Sequence, residues 1–165
     1  MNLPRSNFRA FTLVELILVL GIIALVAAMV APSLRGFAAG RRTKDSAALI
    51  VGLAQYARTA AMSEGRVYRL NFDPSARQVW LTAQSGAVFA PPPNDYGQRF
   101  TLAQGVQMTV DAPQQQDGQY VQFQPSGRTD AAHVRLTGQF GDKVEVACAS
   151  ATETFRVVPT GEATP

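Results

Sequence analysis

Cysteine and histidine are almost absent from this chain, which contains one of each, Cys148 and His133. A single cysteine cannot form an intrachain disulfide. We expect Cys148 to be a small buried hydrophobe on a strand, the alternatives being an intermolecular bridge or a reactive thiol. One thiol and one imidazole do not supply the ligands of a zinc site or a Cys/His nucleophile pair. The sequence therefore predicts no metal site.

Motifs of catalysis are also missing. The sequence has no glycine-rich phosphate-binding loop, no nucleophile motif and no metal-ligand spacing. Its carboxylates mostly stand beside turn residues, where capping is their ordinary role. We therefore predict that the chain is not an enzyme, has no catalytic residue and needs no cofactor.

Basic residues are in small excess: 15 Lys and Arg stand against 12 Asp and Glu, which gives a net charge of +3. Arg5 and Arg9 precede the first apolar run, and without them 13 basic residues face 12 acidic ones, a net charge of +1. The arginines of the later part of the chain are scattered rather than clustered. This balance gives little support for nucleic-acid binding, which we do not expect.

Residues 11–31 form a long apolar run of 21 residues, FTLVELILVLGIIALVAAMVA, with one charged side chain, Glu15. A helix rises about 1.5 Å per residue, so this run suits the roughly 30 Å core of a bilayer. Basic residues flank it on both sides and do not orient it. We predict a single-pass transmembrane helix at 11–31; a signal peptide cleaved near Ala28 and an uncleaved signal anchor are the alternatives.

Glu15 is unusual because a carboxylate inside an apolar membrane helix costs roughly 2.5 to 3.5 kcal/mol at the bilayer centre. One interpretation is that Glu15 stays hydrated near the membrane interface. The other is that it has a cationic partner: cleavage before Phe11 creates an α-ammonium, which a neighbouring subunit can offer to Glu15 as a desolvated ion pair. Such a pair would set the axial register between stacked helices.

The segment from Ala10 to Glu15, with its short basic leader and the apolar run after it, resembles the prepilin-type signal of type IV pilins and type II secretion pseudopilins. The resemblance implies that residues 1–10 are a leader cut off by prepilin peptidase between Ala10 and Phe11, and that Phe11 is then N-methylated. It also implies that Glu15 directs membrane extraction and subunit alignment in a filament. The family usually has glycine before the cut, so Ala10 predicts slower cleavage.

Pro32 matches a position where pilins often bend. A proline inside a helix removes one backbone donor and kinks the helix, so Pro32 predicts a bend. The equally good alternative is that Pro32 only ends the membrane-spanning part. Residues 32–65 are predicted to continue the helix as an amphipathic segment that Gly65 terminates. Its apolar residues recur at helical spacing in two neighbouring stripes: Leu49, Leu53, Tyr56 and Ala60, and Ile50, Ala54, Ala57 and Ala61.

From Arg66 onward the apolar period changes to two, which predicts strands. The candidate strands are 67–72, 78–82, 100–102, 106–110, 120–123, 133–136, 144–148 and 154–158, and we expect exposed loops at 90–98 and 113–118. One helix followed by short strands indicates an α+β fold. We predict a pilin-like architecture, with a long N-terminal helix packed on an antiparallel β-sheet domain at 66–165.

Two further segments, ARTAAMSEGRVYRLNFD and VQFQPSGRTDAAHVRL, resemble the GspH/FimT family of minor pseudopilins and minor pilins. This implies a minor pseudopilin of a type II secretion pseudopilus that supports protein export across the outer membrane. The alternative is a minor type IV pilin in pilus assembly, adhesion or DNA uptake. The implied partners are other pilins or pseudopilins in a filament, prepilin peptidase and an inner-membrane assembly platform. The implied location is the inner membrane, with the β-domain in the periplasm.

Overall fold

The computed structural model describes the backbone of residues 12–115 and 118–158 and the side chains of 12–28, 40–113 and 118–158. The described part contains a long helix, α1 (Leu13–Glu64), and a one-turn 3₁₀ helix at Asp95–Gly97. It also contains ten strands: β1 (Tyr68–Asp73), β2 (Gln78–Ser85), β3 (Val88–Ala90), β4 (Phe100–Thr101), β5 (Gln107–Asp111), β6 (Gln114–Gln115), β7 (Gly118–Phe123), β8 (Ala132–Thr137), β9 (Lys143–Cys148) and β10 (Arg156–Val158). The chain divides after Phe37 into two compact units.

Capping interactions define both ends of helix α1. At its start the Thr12 Oγ1 accepts a hydrogen bond from the Glu15 backbone N–H at 3.2 Å, which satisfies one of the free donors of the first turn. At its end Gly65 adopts φ +67° and donates its N–H to the Ala61 carbonyl at 3.1 Å. The predicted termination at Gly65 is confirmed. The helix includes Pro32, where a kink stays a prediction.

From residue 40 onward, helix α1 buries one side and exposes the other. Its buried residues recur at helical spacing, with two polar ones at the beginning: Thr43, Ser46, Ala47, Ile50, Leu53, Ala54, Ala57, Ala60 and Ala61. Leu49 and Tyr56 are only partly buried at the rim of this stripe. The many alanines leave room for the sheet residues to approach the helix backbone.

The first sheet has the order β3-β2-β1-β7-β6, with β4 pairing a further stretch of β2. All its pairs are antiparallel, and Leu70 of β1 lies between Leu81 of β2 and Val121 of β7. These three residues are fully buried, whereas their strand neighbours are partly exposed or face away from the core. The predicted hairpin of β1 and β2 is confirmed.

The remaining strands form a second sheet with the order β10-β9-β8-β5, also antiparallel. The sequence predicted an antiparallel β-sheet domain but not its division into two sheets. A period of two shows which side chains share a face, but strand pairing depends on contacts between distant segments. The two sheets and the second half of α1 share one apolar core, to which Ile50, Leu70 and Val134 belong.

The loop predictions at 90–98 and 113–118 were partly wrong. Ala90 ends strand β3, Pro92 is buried, and the one-turn 3₁₀ helix lies within the first segment. In the second segment β6 pairs with the start of β7, Gln114 opposite Gln119. Short polar edge strands form through backbone hydrogen bonds and leave no apolar pattern in the sequence.

Candidate assembly site

The predicted processing residues, Ala10 and Phe11, lie outside the described residues. Cleavage between them and methylation of Phe11 therefore stay predictions. Glu15 lies in the first turn of α1 and is exposed. Its backbone N–H is bonded to Thr12, and its carboxylate stands where the partial positive charge of a helix N-terminus favours an anion.

Glu15 has no ion-pair partner in the part of the chain that the structure describes. The helix terminus therefore supplies the only favourable charge identified for it within the described residues. A carboxylate held at this position by a capped first turn is able to accept a cationic group from another molecule.

Residues 12–28 are exposed without exception, and apart from Glu15 none of them is charged. Exposed large side chains occur on every side of the helix: Leu13, Val14, Leu16, Ile17, Leu18, Val19, Leu20, Ile22, Ile23, Leu25 and Val26. Leu13 is 75% exposed and Leu25 is 66% exposed. A helix that is apolar all round requires an apolar environment, from lipid or from other helices. We call residues 12–28 the apolar segment.

Within the described residues, no helical stretch combines the length and the hydropathy that crossing a membrane requires.

The C-terminal end of α1 is fixed to two loops of the β-domain. Arg58 donates hydrogen bonds to the carbonyls of Thr152 at 3.1 Å and Glu153 at 2.8 Å. Gly127, with φ +80°, lies so close to Met62 that a Cβ would stand 3.1 Å from its Sδ. These contacts hold the helix end against the loops that follow β7 and β9.

Cys148 is buried on β9, as predicted for a small hydrophobe. Its thiol donates to the Ser150 carbonyl at 3.2 Å, and burial raises the pKa of the thiol. A raised pKa lowers the fraction of thiolate, which is the reactive form. The structure thus favours packing over reactivity for this residue.

His133 lies on β8, where its Nδ1 is 3.1 Å from the Glu145 Oε1. Arg135 stands directly opposite Glu145 in the β8–β9 register, with 3.7 Å between the closest charged atoms. The three side chains form a partly exposed surface cluster. Among the described residues, no three side chains of the metal-ligating types form a group that would hold a metal ion.

A second polar cluster, which was not predicted, lies where α1 passes into β1. The Glu64 carboxylate accepts a hydrogen bond from the Tyr68 hydroxyl at 2.8 Å and from the Arg66 Nε at 2.6 Å. These hydrogen bonds lower the pKa of Glu64, and burial together with Glu64 raises the pKa of Tyr68 to about 12. The sequence shows that Glu64, Arg66 and Tyr68 are close along the chain. It does not show how the turn from helix to strand brings their side chains into contact.

Two family profiles match this chain. Residues 5–31 match the prokaryotic N-terminal methylation motif, and residues 46–161 match the type II transport protein GspH. A curated relative, type II secretion system protein H of Xanthomonas campestris pv. campestris, is 30% identical over 133 residues, which cover 81% of this chain and 73% of that protein.

Solved structures share the fold. The minor pseudopilin EpsH of the Vibrio cholerae type 2 secretion system aligns with a TM-score of 0.63 at 17% identity, over 73% of this chain and 99% of that chain. E. coli GspH aligns with a TM-score of 0.60 at 12% identity, over 77% and 94%. The Pseudomonas aeruginosa type IV minor pilin FimU aligns with a TM-score of 0.56 at 12% identity, over 75% and 93%. The predicted α+β pilin-like fold is confirmed.

Proposed function

Because this chain belongs to the GspH family of type II transport proteins, we propose that it is a minor pseudopilin of a type II secretion pseudopilus. In this role it assembles through its N-terminal helix and supports protein export across the outer membrane. The observation that carries the proposal is the order of two parts in one chain: a methylation motif with an exposed apolar segment, followed by a GspH domain.

Processing by prepilin peptidase is the first step of the proposed function. The enzyme cuts between Ala10 and Phe11, removes the leader 1–10 and methylates Phe11. The match of residues 5–31 to the methylation motif supports this step. Ala10 replaces the usual glycine, and we expect it to slow the cut without preventing it.

Anchoring in the inner membrane is the second step. We propose that residues 11–31 cross the membrane once and leave the β-domain in the periplasm. The apolar character of the segment on every side supports this placement, since each exposed apolar Å² gains about 25 cal/mol on leaving water.

Assembly into a filament is the third step. We propose that Glu15 pairs with the α-ammonium of Phe11 on a neighbouring subunit, at the inner-membrane assembly platform. Without a partner Glu15 would carry the cost of a charge in lipid, and the pair removes that cost only when two subunits are aligned.

The test of the pathway is mass analysis of the full-length protein extracted from membranes of cells with and without prepilin peptidase. We expect a chain that starts at methylated Phe11 only where the peptidase is present. An intact Met1 in both, or a terminus near Ala28, would rule out the pilin pathway.

A minor type IV pilin is the second candidate, favoured by the shared fold with FimU. Deleting the gene separates the two machines. A pseudopilin deletion should lower the amount of exported protein in the medium and leave pili and twitching unchanged. The opposite result would assign the chain to a pilus.

A further inference from the structure

One end of the β-domain is assembled around the turn of α1 at residues 41–46. Among the side chains that the structure describes, Thr43 and Ser46 are the first of α1 to be buried. The Ser46 Oγ accepts a hydrogen bond from the Ala103 backbone N–H at 3.4 Å. Thr43 packs against Gly138, where an added Cβ would collide with the Thr43 Oγ1. Gly138 starts the turn between β8 and β9, so this turn and the helical turn lie side by side.

Exposed basic side chains are concentrated on these two turns. Arg41, Arg42 and Lys44 are exposed on the helical turn, and Lys143 is exposed where the β8–β9 turn ends. Among the described residues, none of Arg41, Arg42 and Lys44 forms an ion pair with a carboxylate. The charges of these three side chains are therefore available to a partner.

A fifth cation, Arg77, lines a cavity of about 660 Å³ at the same end. The other lining residues are uncharged and belong to 105–107, 137–139 and Gly141. Arg77 is partly exposed and forms no ion pair within the described part of the chain. A cavity whose one charged lining residue is an arginine suits a phosphate group. We call the five cations the basic end: Arg41, Arg42, Lys44, Arg77 and Lys143.

The neighbouring acidic side chains do not cancel the charge of the basic end. Asp45 is exposed, whereas both carboxylate oxygens of Asp142 are buried. Asp73, which ends β1, is offset by Arg99, whose charge acts on it. The five cations and the two remaining carboxylates leave a net charge of +3, which equals that of the whole chain. This part of the molecule therefore attracts anions.

An exposed aromatic ring lies beside these charges. Phe140 is 61% exposed on the β8–β9 turn. Gly141, with φ +83°, donates its N–H to the Gly138 carbonyl at 3.0 Å and so closes the turn that carries the ring. Basic side chains next to exposed apolar ones are typical of surfaces at a membrane interface, where cations meet phosphates and apolar groups enter the headgroup layer.

The position of the basic end along the chain indicates its partner. Only residues 32–40 separate the proposed membrane span, 11–31, from Arg41. We propose that the basic end binds the headgroups of anionic phospholipids in the membrane that anchors the chain, with one lipid phosphate at Arg77. This inference rests on the proposed anchoring. A lipid surface presents diffuse negative charge, so it requires exposed cations at one end and no fixed distance between them.

The test uses the full-length chain in phosphatidylcholine vesicles prepared with and without phosphatidylglycerol. Both kinds of vesicle contain a lipid with a spin label on its headgroup, which quenches an indole that reaches the headgroup layer. Because Trp80 is the single tryptophan, Phe140→Trp combined with Trp80→Phe places the only indole on the β8–β9 turn. We expect quenching at least about twofold stronger with phosphatidylglycerol, and we expect high salt to remove this difference.

Two variants of this reporter chain and a matched control locate the site. Arg77→Asn and the double variant Arg41→Gln/Arg42→Gln should each lower the phosphatidylglycerol-dependent quenching by about half or more. Arg156→Gln should not, because this exposed arginine pairs with Ala147, at the end of β9 away from Lys143. Asparagine tolerates the φ of +55° at position 77, so the circular dichroism spectrum should stay unchanged.

The outcomes separate this inference from the proposed function. Equal quenching in the two kinds of vesicle, or equal losses in all three variants, would overturn lipid binding and leave the anchoring intact. Quenching that follows the number of chains per vesicle instead of the phosphatidylglycerol content would assign the surface to a second copy of the chain and also overturn it. A chain that does not float with the vesicles would contradict the anchoring, and lipid binding with it.

Discussion

A single substitution separates the structural role of Glu15 from its proposed role in assembly. Its backbone N–H completes the cap of α1, and its carboxylate is proposed to pair with the α-ammonium of Phe11 on a neighbouring subunit. Glu15→Gln keeps the N–H and removes only the charge. We expect the variant to be inserted and processed normally but absent from sheared filaments, as immunoblots of the membrane and sheared fractions would show. Asp45→Asn, an exposed carboxylate on the same helix, is the control and should assemble. Normal incorporation of Glu15→Gln would exclude the ion pair.

Tyr68 makes the folded state less stable as pH rises into the alkaline range. Because its pKa is raised to about 12 from an ordinary value of about 10, the folded state keeps the proton longer than the unfolded state. The resulting stabilisation is complete below about pH 10 and is lost as pH rises toward 12. Tyr68→Phe should flatten the fall in thermal midpoint across this window. Tyr96→Phe, an exposed tyrosine, should leave the fall as in the unsubstituted chain; a parallel fall in the Tyr68 variant would contradict the assignment.

The second half of α1 is the element that completes the core of the β-domain. Leu53 is 2% exposed in the middle of the buried stripe. Leu53→Ala should lower the free energy of unfolding by about 2 to 5 kcal/mol, because the truncated side chain leaves a cavity against the sheets. Gln55→Ala, on the exposed side of the same turn, should change it by less than about 0.5 kcal/mol. Urea denaturation followed by Trp80 fluorescence measures both, and similar values would show that the helix does not close the core.

The sequence predicted elements better than their pairing. The helical spacing of apolar residues and Gly65 predicted the amphipathic segment, and the alternation at β1 and β2 predicted the hairpin. Both signals are local in the sequence. The division into two sheets depends on β8 pairing with β5 and β9 rather than with β7, a choice that no local pattern records. For the same reason the stacking of Arg69 on Phe89 and Tyr120, and of Arg99 on Trp80, was not predicted, because these side chains meet only after the first sheet has formed. Ala10 and Phe11 were identified through a family signal alone, and their roles stay predictions.

The chain as a whole divides at Phe37, and the core of the second unit lies entirely after that point. A fragment that starts near Arg41 retains Thr43, Ser46 and all the apolar side chains of α1 that the structure describes as buried, and it lacks the apolar segment. We therefore expect it to be monomeric and folded in detergent-free buffer, with dispersed amide signals in NMR spectra and a single species in sedimentation. A shorter fragment that starts at Ser63 lacks Ile50, Leu53 and Ala57, so its sheets expose the face that the helix covers, and it should aggregate. Aggregation of the longer fragment would contradict the claim that the residues from Arg41 onward fold on their own. Equal behaviour of the two fragments would contradict the claim that the β-domain needs the second half of α1.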